Sequence, residues 1–457
     1  MKNPFLKEFR TALQLPMSDR LVTSEIVECA QLPSYFAVSE MASASVLAVG
    51  EALRALMSFD EDQKSPTVQV NQRLASLWFG SSLHLLDPNA PAVWDEIAGD
   101  YQCADGWIRL HTNAPHHKLT ALKVLGVASN RDAVAEAVKS WTAIDLETAI
   151  VGENGAAAQM RSMDEWALHP QGKSLAAEPL VAWQTFDGGQ PKRQSVDAER
   201  PLAGIKVLDL TRVIAGPVCT RTLAALGANV LRIDPTNWDE PGLYEELTIG
   251  KRCAHLDLKT DGDFQNFKAL LTEADVLVHG LRADALKRLG LSEATIRDIN
   301  PQLIEVTHNA YGWTGPWRNR RGFDSLVQMS SGIADFGMKQ QGDGKPHPLP
   351  VQALDHATGY LAAATAIIGL KRRNEEGCGV TAKLSLARTA HSLIQTARNE
   401  KAGQSINPID ADYHVETEQT HLGPAMRLLP CLEVEGVRWH WDLPASPLRS
   451  TAPTWSD

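Results

Sequence analysis

The stretch VQALDHATGY, residues 351–360, places one acidic residue, Asp355, between a Pro-rich loop and a long Ala-rich segment. Asp is a preferred residue at the start of a helix, where its side chain accepts a backbone N–H, so capping is one interpretation. A carboxylate at a helix start is also held ionised by the helix dipole, which suits a nucleophile that forms a covalent intermediate. The residue types alone leave both interpretations of Asp355 open.

Basic residues recur around the predicted strands of a chain that is acidic overall. The formal net charge is −11, which argues against a general nucleic-acid binder. Because the carboxyl ends of parallel strands share one edge of a sheet, cations at those ends would converge on an anionic ligand. These positions are Arg212, Lys251, Arg252, Lys259, Arg282, Arg288 and Arg321.

A loop over residues 311–324, YGWTGPWRNRRGFD, combines two tight-turn glycines, Gly312 and Gly315, with a proline and two tryptophans. This density of turn residues is typical of a functional loop, and the tryptophans could cover an aromatic or apolar ligand.

The elements that would position these residues begin near residue 202. Short apolar strands are predicted at 205–210, 229–233, 275–279 and 303–307, with helices over 217–227 and 263–274. Strands alternating with helices indicate an α/β fold with a doubly wound, largely parallel sheet. The first turn reads IAGP and lacks the GxGxxG fingerprint, so a nicotinamide cofactor is not favoured, although a phosphate could sit at the helix start.

The first part of the chain has a different pattern. It predicts a helix near 42–58, a hairpin in DYQCADGWIRLHT around Asp105-Gly106, and helices within 115–150. The segment 186–200 is polar and contains Gly and Pro, as linkers do. We therefore expect residues 1–185 to contain a smaller α+β domain, 186–200 to be a linker, and 201–457 to form the larger domain.

A weak internal repeat crosses this division. Residues 42–56 and 67–78 share with residues 359–373 and 380–393 the order small-residue helix, connector, strand, helix. The first copy has no Asp at the place of Asp355, and its nearest acid is Glu40.

Composition narrows the class of protein further. The chain has 457 residues with 44% hydrophobic content, enough for at least one large core. It shows no signal-peptide pattern and no apolar run long enough to span a bilayer, so no membrane association is expected. The six cysteines form no CxxC pair, which predicts reduced thiols in a cytoplasmic protein and no metal site. No hydrolase elbow or zinc-protease motif is present.

Five ordered blocks of the second half resemble the class III CoA-transferases, the family of formyl-CoA and carnitine CoA-transferases. They span residues 201–234, 250–260, 274–291, 299–324 and 353–373. The segments ADGWIRLHT and MRSMDEWALHPQG of the first half resemble the family's later portion. The order is thus reversed, which we interpret as a tandem fusion that left a circularly permuted or half-fused enzyme.

The resemblance implies a Rossmann-like CoA-binding domain and assigns Asp355 as the nucleophile. Asp355 would react with acyl-CoA to form a mixed anhydride, which the released CoA would convert to an aspartyl-CoA thioester. CoA would then pass from this thioester to a carboxylic acid. Coenzyme A and acyl-CoA would be substrates, with no permanently bound cofactor, and the chain would form a homodimer. The implied CoA contacts are Arg212, Val213, Ile214, Ala215, Leu256, Asp257, Leu258, Lys259, Arg288, Arg321, Gly322, Phe323 and Asp324. We expect Arg282, one of the basic positions named above, to bind CoA with them.

Several positions depart from the family pattern. The family's usual Asn is Gly280 here, a basic residue sometimes found after the second strand is Pro235, and the permuted order puts the interlocked dimer in doubt. α-Methylacyl-CoA racemases of the same fold carry His where this chain has Phe323, which cannot supply the second base. A racemase and a non-catalytic CoA-binding protein are the alternatives.

Overall fold

The computed structural model describes residues 3–15, 24–57, 65–87, 91–192, 195–240, 242–399 and 402–455. Its strands are β1 (Ser24–Val27), β2 (Val68–Asn71), β3 (Leu83–Leu85), β4 (Gly99–Gln102), β5 (Trp107–Leu110), β6 (Ala157–Gln159), β7 (Ala182–Asp187), β8 (Lys206–Leu210), β9 (Asn229–Asp234), β10 (Lys251–His255), β11 (Val276–His279), β12 (Ile304–Asn309), β13 (Cys378–Ser385), β14 (Glu418–Thr420), β15 (Gly423–Arg427) and β16 (Leu432–Val434). Its α-helices are α1 (Leu6–Ala12), α2 (Val38–Leu56), α3 (Gln72–Trp78), α4 (Pro115–Leu125), α5 (Arg131–Val138), α6 (Ala143–Gly152), α7 (Met163–Leu168), α8 (Pro170–Ala176), α9 (Ala215–Ala225), α10 (Tyr244–Leu247), α11 (Asp261–Glu273), α12 (Ala285–Arg288), α13 (Glu293–Ile299), α14 (Asp324–Ser330), α15 (Ile333–Gln341), α16 (Ala353–Glu376) and α17 (Leu386–Gln395).

The main sheet has seven strands in the order β10-β9-β8-β11-β12-β13-β7. All neighbours are parallel except β7, which pairs antiparallel with β13 at the edge. The predicted α/β class with a largely parallel sheet is therefore confirmed.

Both faces of this sheet are buried, which explains its nearly continuous apolar strands. Val207 points into a core shared with α9 and α16, whereas Leu208 points into a second core with Phe267 and Leu271 of α11. Successive side chains of a strand alternate between faces, so one short apolar run serves both cores.

The predicted hairpin is confirmed as β4 and β5, which pair antiparallel and extend to β6. The turn is closed by the Cys103 N–H, which donates to the Gly106 carbonyl at 2.8 Å. Helices α4, α5 and α6 cover this sheet and share its apolar core, as the prediction of a small α+β unit requires.

The two copies of the repeat have the same layout, α2-β2-α3 and α16-β13-α17. Helix α2 begins at Val38 rather than at residue 42 and packs along α16. The structure corrects one prediction about the repeat: Glu40 is the third residue of α2, and Asp355 is likewise the third residue of α16. The first copy therefore does carry an acid at the corresponding helical position.

Strands from distant parts of the chain complete one another's sheets. Strand β16 pairs with β2, and β15 pairs with β3. Strand β7 ends at Asp187, so the predicted linker 186–200 begins inside a strand of the main sheet. The first part of the chain thus contributes one strand, β7, to the main sheet.

Candidate active site

Three adjoining cavities lie at the carboxyl edge of the main sheet. The central cavity, about 200 Å³, is lined by residues after β8, β11 and β12, by the loop 318–323 and by Asp355 of α16. The β10 cavity, about 220 Å³, lies beside residues 256–259. The Trp94 cavity, also about 220 Å³, lies beside residues 92–95, 238–240 and 242–243. Strands β8 and β11 are neighbours from which the chain proceeds in opposite directions, and open α/β sheets bind ligands at such a point.

The turn between β8 and α9 is held in an unusual conformation. Val213 has φ of 67°, a left-handed value that β-branched residues rarely adopt. Its N–H donates to the carboxylate of Glu240, which also accepts from Arg232 at 2.8 Å. Strained backbone of this kind clusters at functional sites, where the surrounding structure must enforce it.

A buried ion network lies beneath this turn. Asp209 accepts from Thr211 Oγ1 at 2.5 Å, from Thr220 Oγ1 at 2.6 Å and from Lys251 Nζ at 3.1 Å. Burial opposes ionisation of Asp209, but Lys251 and then Arg232 outweigh it and hold the pKa of this carboxyl below its usual range. The network fixes the end of β8 and so the direction in which the turn leaves the sheet.

Asp355 is the third residue of α16, whose N-cap is Gln352. The interpretation of Asp355 as a capping residue is therefore wrong. Its side chain is 6% exposed and lines the central cavity, and no hydrogen bond to its carboxylate is found within the described part of the chain. Burial, and then the neighbouring Asp324 carboxylate, raise the pKa of Asp355 well above its usual range.

Asp324 takes the capping role instead. It is fully buried at the start of α14, and its carboxylate accepts the Asp355 N–H at 2.9 Å and a side-chain N–H of Gln328. Burial raises the pKa of Asp324 to about 6, although Gln328 and the backbone N–H groups of Asp355 and Leu354 act in the opposite direction. Since only Asp324 has donors to stabilise its charge, the proton that the pair holds resides on Asp355.

Arginines dominate the charge of the central cavity. Five line it: Arg212, Arg282, Arg318, Arg320 and Arg321. Arg320 pairs with Glu147 at 2.8 Å, whereas the other four have no carboxylate within ion-pair distance among the residues that the structure describes. The Arg212 guanidinium lies 5.3 Å from the Trp238 ring centroid and its buried Nε has no described hydrogen-bond partner. Unpaired arginines at a sheet edge are suited to bind an anion such as a phosphate.

Neutral imidazoles also face the central cavity. Burial, and then His116 and Arg321, lower the pKa of His117 to about 3, and neither of its ring nitrogens has a described partner. Burial lowers the pKa of His308 to about 4. At Gly280 a Cβ atom would come within 2.7 Å of His308 Nε2, so the glycine at this departure from the family pattern makes room for the ring.

The structure brings most of the predicted ligand residues to these cavities. The central cavity contains Arg212, Val213, Ala215, Arg282, Arg321, Gly322, Phe323 and Asp355, and the β10 cavity contains Leu256, Asp257, Leu258 and Lys259 together with Arg212.

Three predicted contacts lie outside the cavity linings. Ile214 is the N-cap of α9, Asp324 is buried beneath the site, and Arg288 is exposed and pairs with Asp284 at 2.5 Å.

The prediction for the adjacent Lys251 and Arg252 is wrong. Lys251 opens β10 and is buried against Asp209, and Arg252 lines a cavity at the opposite, amino edge of the sheet. Their place at the start of a strand that the sequence analysis had not identified accounts for the error.

Several site residues escaped the sequence analysis. His116 and His117 come from α4 in the small unit, more than 200 positions from Asp355, and Trp94 and His111 reach the site from the same unit. Glu240 follows β9 and belongs to no sequence motif that would have marked it as a site residue. Arg318 lies in the loop already singled out, and its position within WRNRRGFD was the one available signal.

The described residues contain no group of three or more His, Cys, Asp or Glu arranged to hold a metal ion. In that same part of the chain, no helix combines the length and apolar character needed to cross a membrane.

Comparisons with known proteins agree with the sequence blocks. Residues 202–420 match the profile described as CoA-transferase family III. An acyl-CoA transferase of Gibberella moniliformis is 29% identical over 333 residues, which cover 67% of this chain and 57% of that protein. A succinyl-CoA:glutarate CoA-transferase of Mus musculus is 31% identical over 230 residues, which cover 47% and 52%.

Among solved structures, a CAIB/BAIF family protein from Brucella suis is 25% identical, covers 50% of this chain and 65% of that one, and has a TM-score of 0.38. The chain spans about half the length of the curated relatives it matches.

Proposed function

We propose that this chain is a member of CoA-transferase family III, whose profile matches residues 202–420, and that it moves CoA from an acyl-CoA donor to a carboxylic acid acceptor. Asp355 is the nucleophile. The observation that carries the proposal is that Asp355 provides the one carboxylate among the described residues of a cavity lined by five arginines. Its oxygens have no described hydrogen-bond donor, so they are free to bond to an incoming carbonyl carbon.

Once Asp355 has lost its proton, the chemistry is a relay of acyl transfers without further net proton change. A carboxylate oxygen of Asp355 attacks the thioester carbon, the C–S bond breaks, and CoA thiolate leaves a mixed anhydride. The thiolate then attacks Asp355 Cγ and expels the donor acid, which gives an aspartyl-CoA thioester. The acceptor carboxylate attacks Cγ, thiolate departs again, and its attack on the acceptor's acyl carbon forms the new acyl-CoA and restores Asp355.

The surroundings suit the charges in these steps. Neutral His117 has an N–H without a described partner. Such a donor can stabilise a developing oxyanion without a change in its own protonation state. The unpaired arginines supply positive charge for the phosphates and for the carboxylate of the departing acid.

We place the nucleotide part of CoA at the β10 cavity and its phosphates at Arg212, Arg282 and Arg321. The order β10-β9-β8-β11-β12-β13 corresponds to the order 3-2-1-4-5-6 of dinucleotide-binding sheets, which supports a Rossmann-like domain. Pro235 gives this cavity an apolar wall where a relative can carry a cation. CoA is a substrate here, with no permanently bound cofactor, and a homodimer in the cytoplasm remains our prediction.

A racemase would require proton exchange at the carbon next to the thioester. Phe323 carries no base and stacks against His111 with ring centroids 3.7 Å apart. The racemase alternative is not favoured, and it predicts exchange of that proton in deuterated water without an acceptor acid. A binding-only protein would take up CoA and carry out neither reaction.

The test is to trap the intermediates with hydroxylamine. The protein is incubated with acyl-CoA and hydroxylamine, digested, and searched by mass spectrometry for an aspartyl hydroxamate. We expect the modification at Asp355, and none in an Asp355→Asn control. Full turnover with unmodified Asp355 would overturn the assignment of the nucleophile.

A further inference from the structure

The three cavities follow one another, and their order constrains how a substrate lies. The β10 and central cavities share Leu210, Arg212 and Leu281, whereas the central and Trp94 cavities share Val213, Trp238 and Phe323. A thioester at Asp355 with its phosphates on the arginine side therefore has one direction left for its acyl group, namely the Trp94 cavity.

The Trp94 cavity differs in composition from the central cavity. Its walls are mostly apolar or aromatic, formed by Val93, Trp94, His111, Trp238, Leu243 and Phe323. Burial, and then His117 and Arg109, lower the pKa of His111 well below its usual value, so this ring is neutral as well. The apolar rim is open to water, since Val93 and Trp94 remain 47% and 39% exposed.

The charged residues of the Trp94 cavity are all acids: Asp95, Asp239 and Glu240. No Lys or Arg is found among its described lining residues. Asp95 is paired with Lys118 at 2.8 Å, and Glu240 shares Arg232 with Asp234. Asp239 is exposed and forms no ion pair with the described residues. The Arg109 guanidinium lies 5.1 Å from the Trp94 ring centroid and is already paired with Asp100 at 2.8 Å.

A second carboxylate on the acyl group would meet these acids. It would lose water and find no unpaired cation in the described lining, which disfavours binding. A methyl group at the same place would cover the apolar rim and gain from its own burial.

We propose that the acyl group transferred by this protein is uncharged and apolar, so that donor and acceptor derive from monocarboxylic acids. The proposal rests on the proposed function and specifies its substrate class. A cavity of about 220 Å³ exceeds the ~150 Å³ that accommodates a benzene ring in an engineered protein cavity. A ring of that size or a short branched chain therefore fits. This chain would thus transfer a different class of acyl group from the relatives named for succinyl-CoA and glutarate.

The experiment compares two donors that differ at one end. Pentanoyl-CoA carries a terminal methyl group where glutaryl-CoA carries a carboxylate. Each is offered to the purified full chain with the isotopically labelled form of its own acid, and the rate is measured as label that enters the thioester. We expect kcat/KM for pentanoyl-CoA to exceed that for glutaryl-CoA about a hundredfold, the scale at which specificity pockets discriminate. Equal use of the two donors, or preference for glutaryl-CoA, would overturn the inference.

Variants at Asp239 test the acidic wall. Asp239→Arg should reduce the ratio of the two kcat/KM values about tenfold, and Asp239→Asn should reduce it less. Because the readout is a ratio, a general loss of activity cancels. An unchanged ratio in Asp239→Arg contradicts the role of the wall.

Binding separates this inference from the proposed function. Dissociation constants of both thioesters are measured by calorimetry with Asp355→Asn, which cannot react. If pentanoyl-CoA binds at least tenfold more tightly but the wild type exchanges neither donor and forms no hydroxamate, the transferase proposal fails and the cavity's preference stands. If exchange occurs and glutaryl-CoA binds as tightly, the transferase stands and the inference fails.

Discussion

Helices α2 and α16 are the two copies of one arrangement, and their starts differ in chemistry. Each lacks a side-chain hydrogen bond from its N-cap residue, and each carries an acid at its third position, Glu40 or Asp355. Glu40 is half-buried and accepts from Gln31 at 2.9 Å. Asp355 is buried, lacks a described donor and faces a cavity rich in arginines. An acid at this helical position is thus common to both copies, and the surroundings make one of them a candidate nucleophile.

The difference depends on a second acid. The Asp324 carboxylate accepts the Asp355 N–H in the first turn of α16. The Asp355 carboxylate is therefore free for other contacts. Among the described residues, no side chain caps the start of helix α2 in this way, and none of the three cavities is lined by Glu40. At the start of α16, one residue thus caps the helix and another is the proposed nucleophile.

The largest effect is expected from Asp355→Asn set against Glu40→Gln. Removing a nucleophile from a covalent relay should lower kcat by about four orders of magnitude or more. Glu40→Gln should leave kcat and KM within about twofold, as expected for a residue outside the site. The measurement is CoA exchange followed by chromatography of both thioesters. Comparable losses in the two variants would show that the helical position, not the surroundings, determines function.

Asp324→Asn removes the charge that distinguishes the start of α16 from the start of α2. The amide can still accept the Asp355 N–H, but its N–H₂ group would oppose the Gln328 donor, so a buried hydrogen bond is lost. We expect the free energy of unfolding to fall by about 1–3 kcal/mol. Displacement of the nucleophile should lower kcat roughly ten- to hundredfold.

Urea denaturation and exchange kinetics measure these two effects of Asp324→Asn. Asp335→Asn is the matched control, because it removes an acid paired with exposed Lys339 away from the cavities. An Asp324→Asn protein with native stability and native kcat would exclude the proposed positioning role.

The raised pKa values predict the direction of the pH dependence. Asp355 can act as the proposed nucleophile only when it is ionised, and burial and Asp324 raise its pKa. Below that raised pKa, kcat/KM should therefore increase about tenfold per pH unit and then level off. In Asp324→Asn the like charge is absent, so the midpoint should move to lower pH. The profile is measured with saturating acceptor, and a midpoint that does not move would show that burial alone sets the pKa.

The sequence predicted the main sheet because strands buried on both faces are apolar along their whole length, as Val207 and Leu208 illustrate. It did not identify β10, whose first residues are Lys251 and Arg252, since the charge that makes Lys251 look exposed is neutralised by Asp209 within the fold. Strand β7 was missed because its residues are half exposed and its partner β13 lies nearly 200 positions away.

The candidate site was predictable only in part. Asp355 and the turn after β8 belong to continuous blocks, so local sequence was enough to select them. The capping by Asp324 and the approach of His117 depend on contacts between distant segments, which no periodicity encodes. Capping preference correctly indicated that a helix begins near Asp355. It could not distinguish which of the two acids accepts a backbone N–H of that helix.

The smallest effect is expected from Glu40→Gln on stability, and its sign sharpens the contrast between the helices. An ionised acid in the first turn interacts favourably with the helix dipole, so its loss should lower the free energy of unfolding by about 0.5 kcal/mol, with the Gln31 hydrogen bond retained.

Asp355→Asn should instead raise the free energy of unfolding at pH 8. A group whose pKa is raised on folding destabilises the native state as pH rises, and the amide removes that cost. Urea denaturation of both variants at pH 5 and pH 8 checks this, and a loss of stability in both at pH 8 would mean that the Asp355 carboxylate has a stabilising partner.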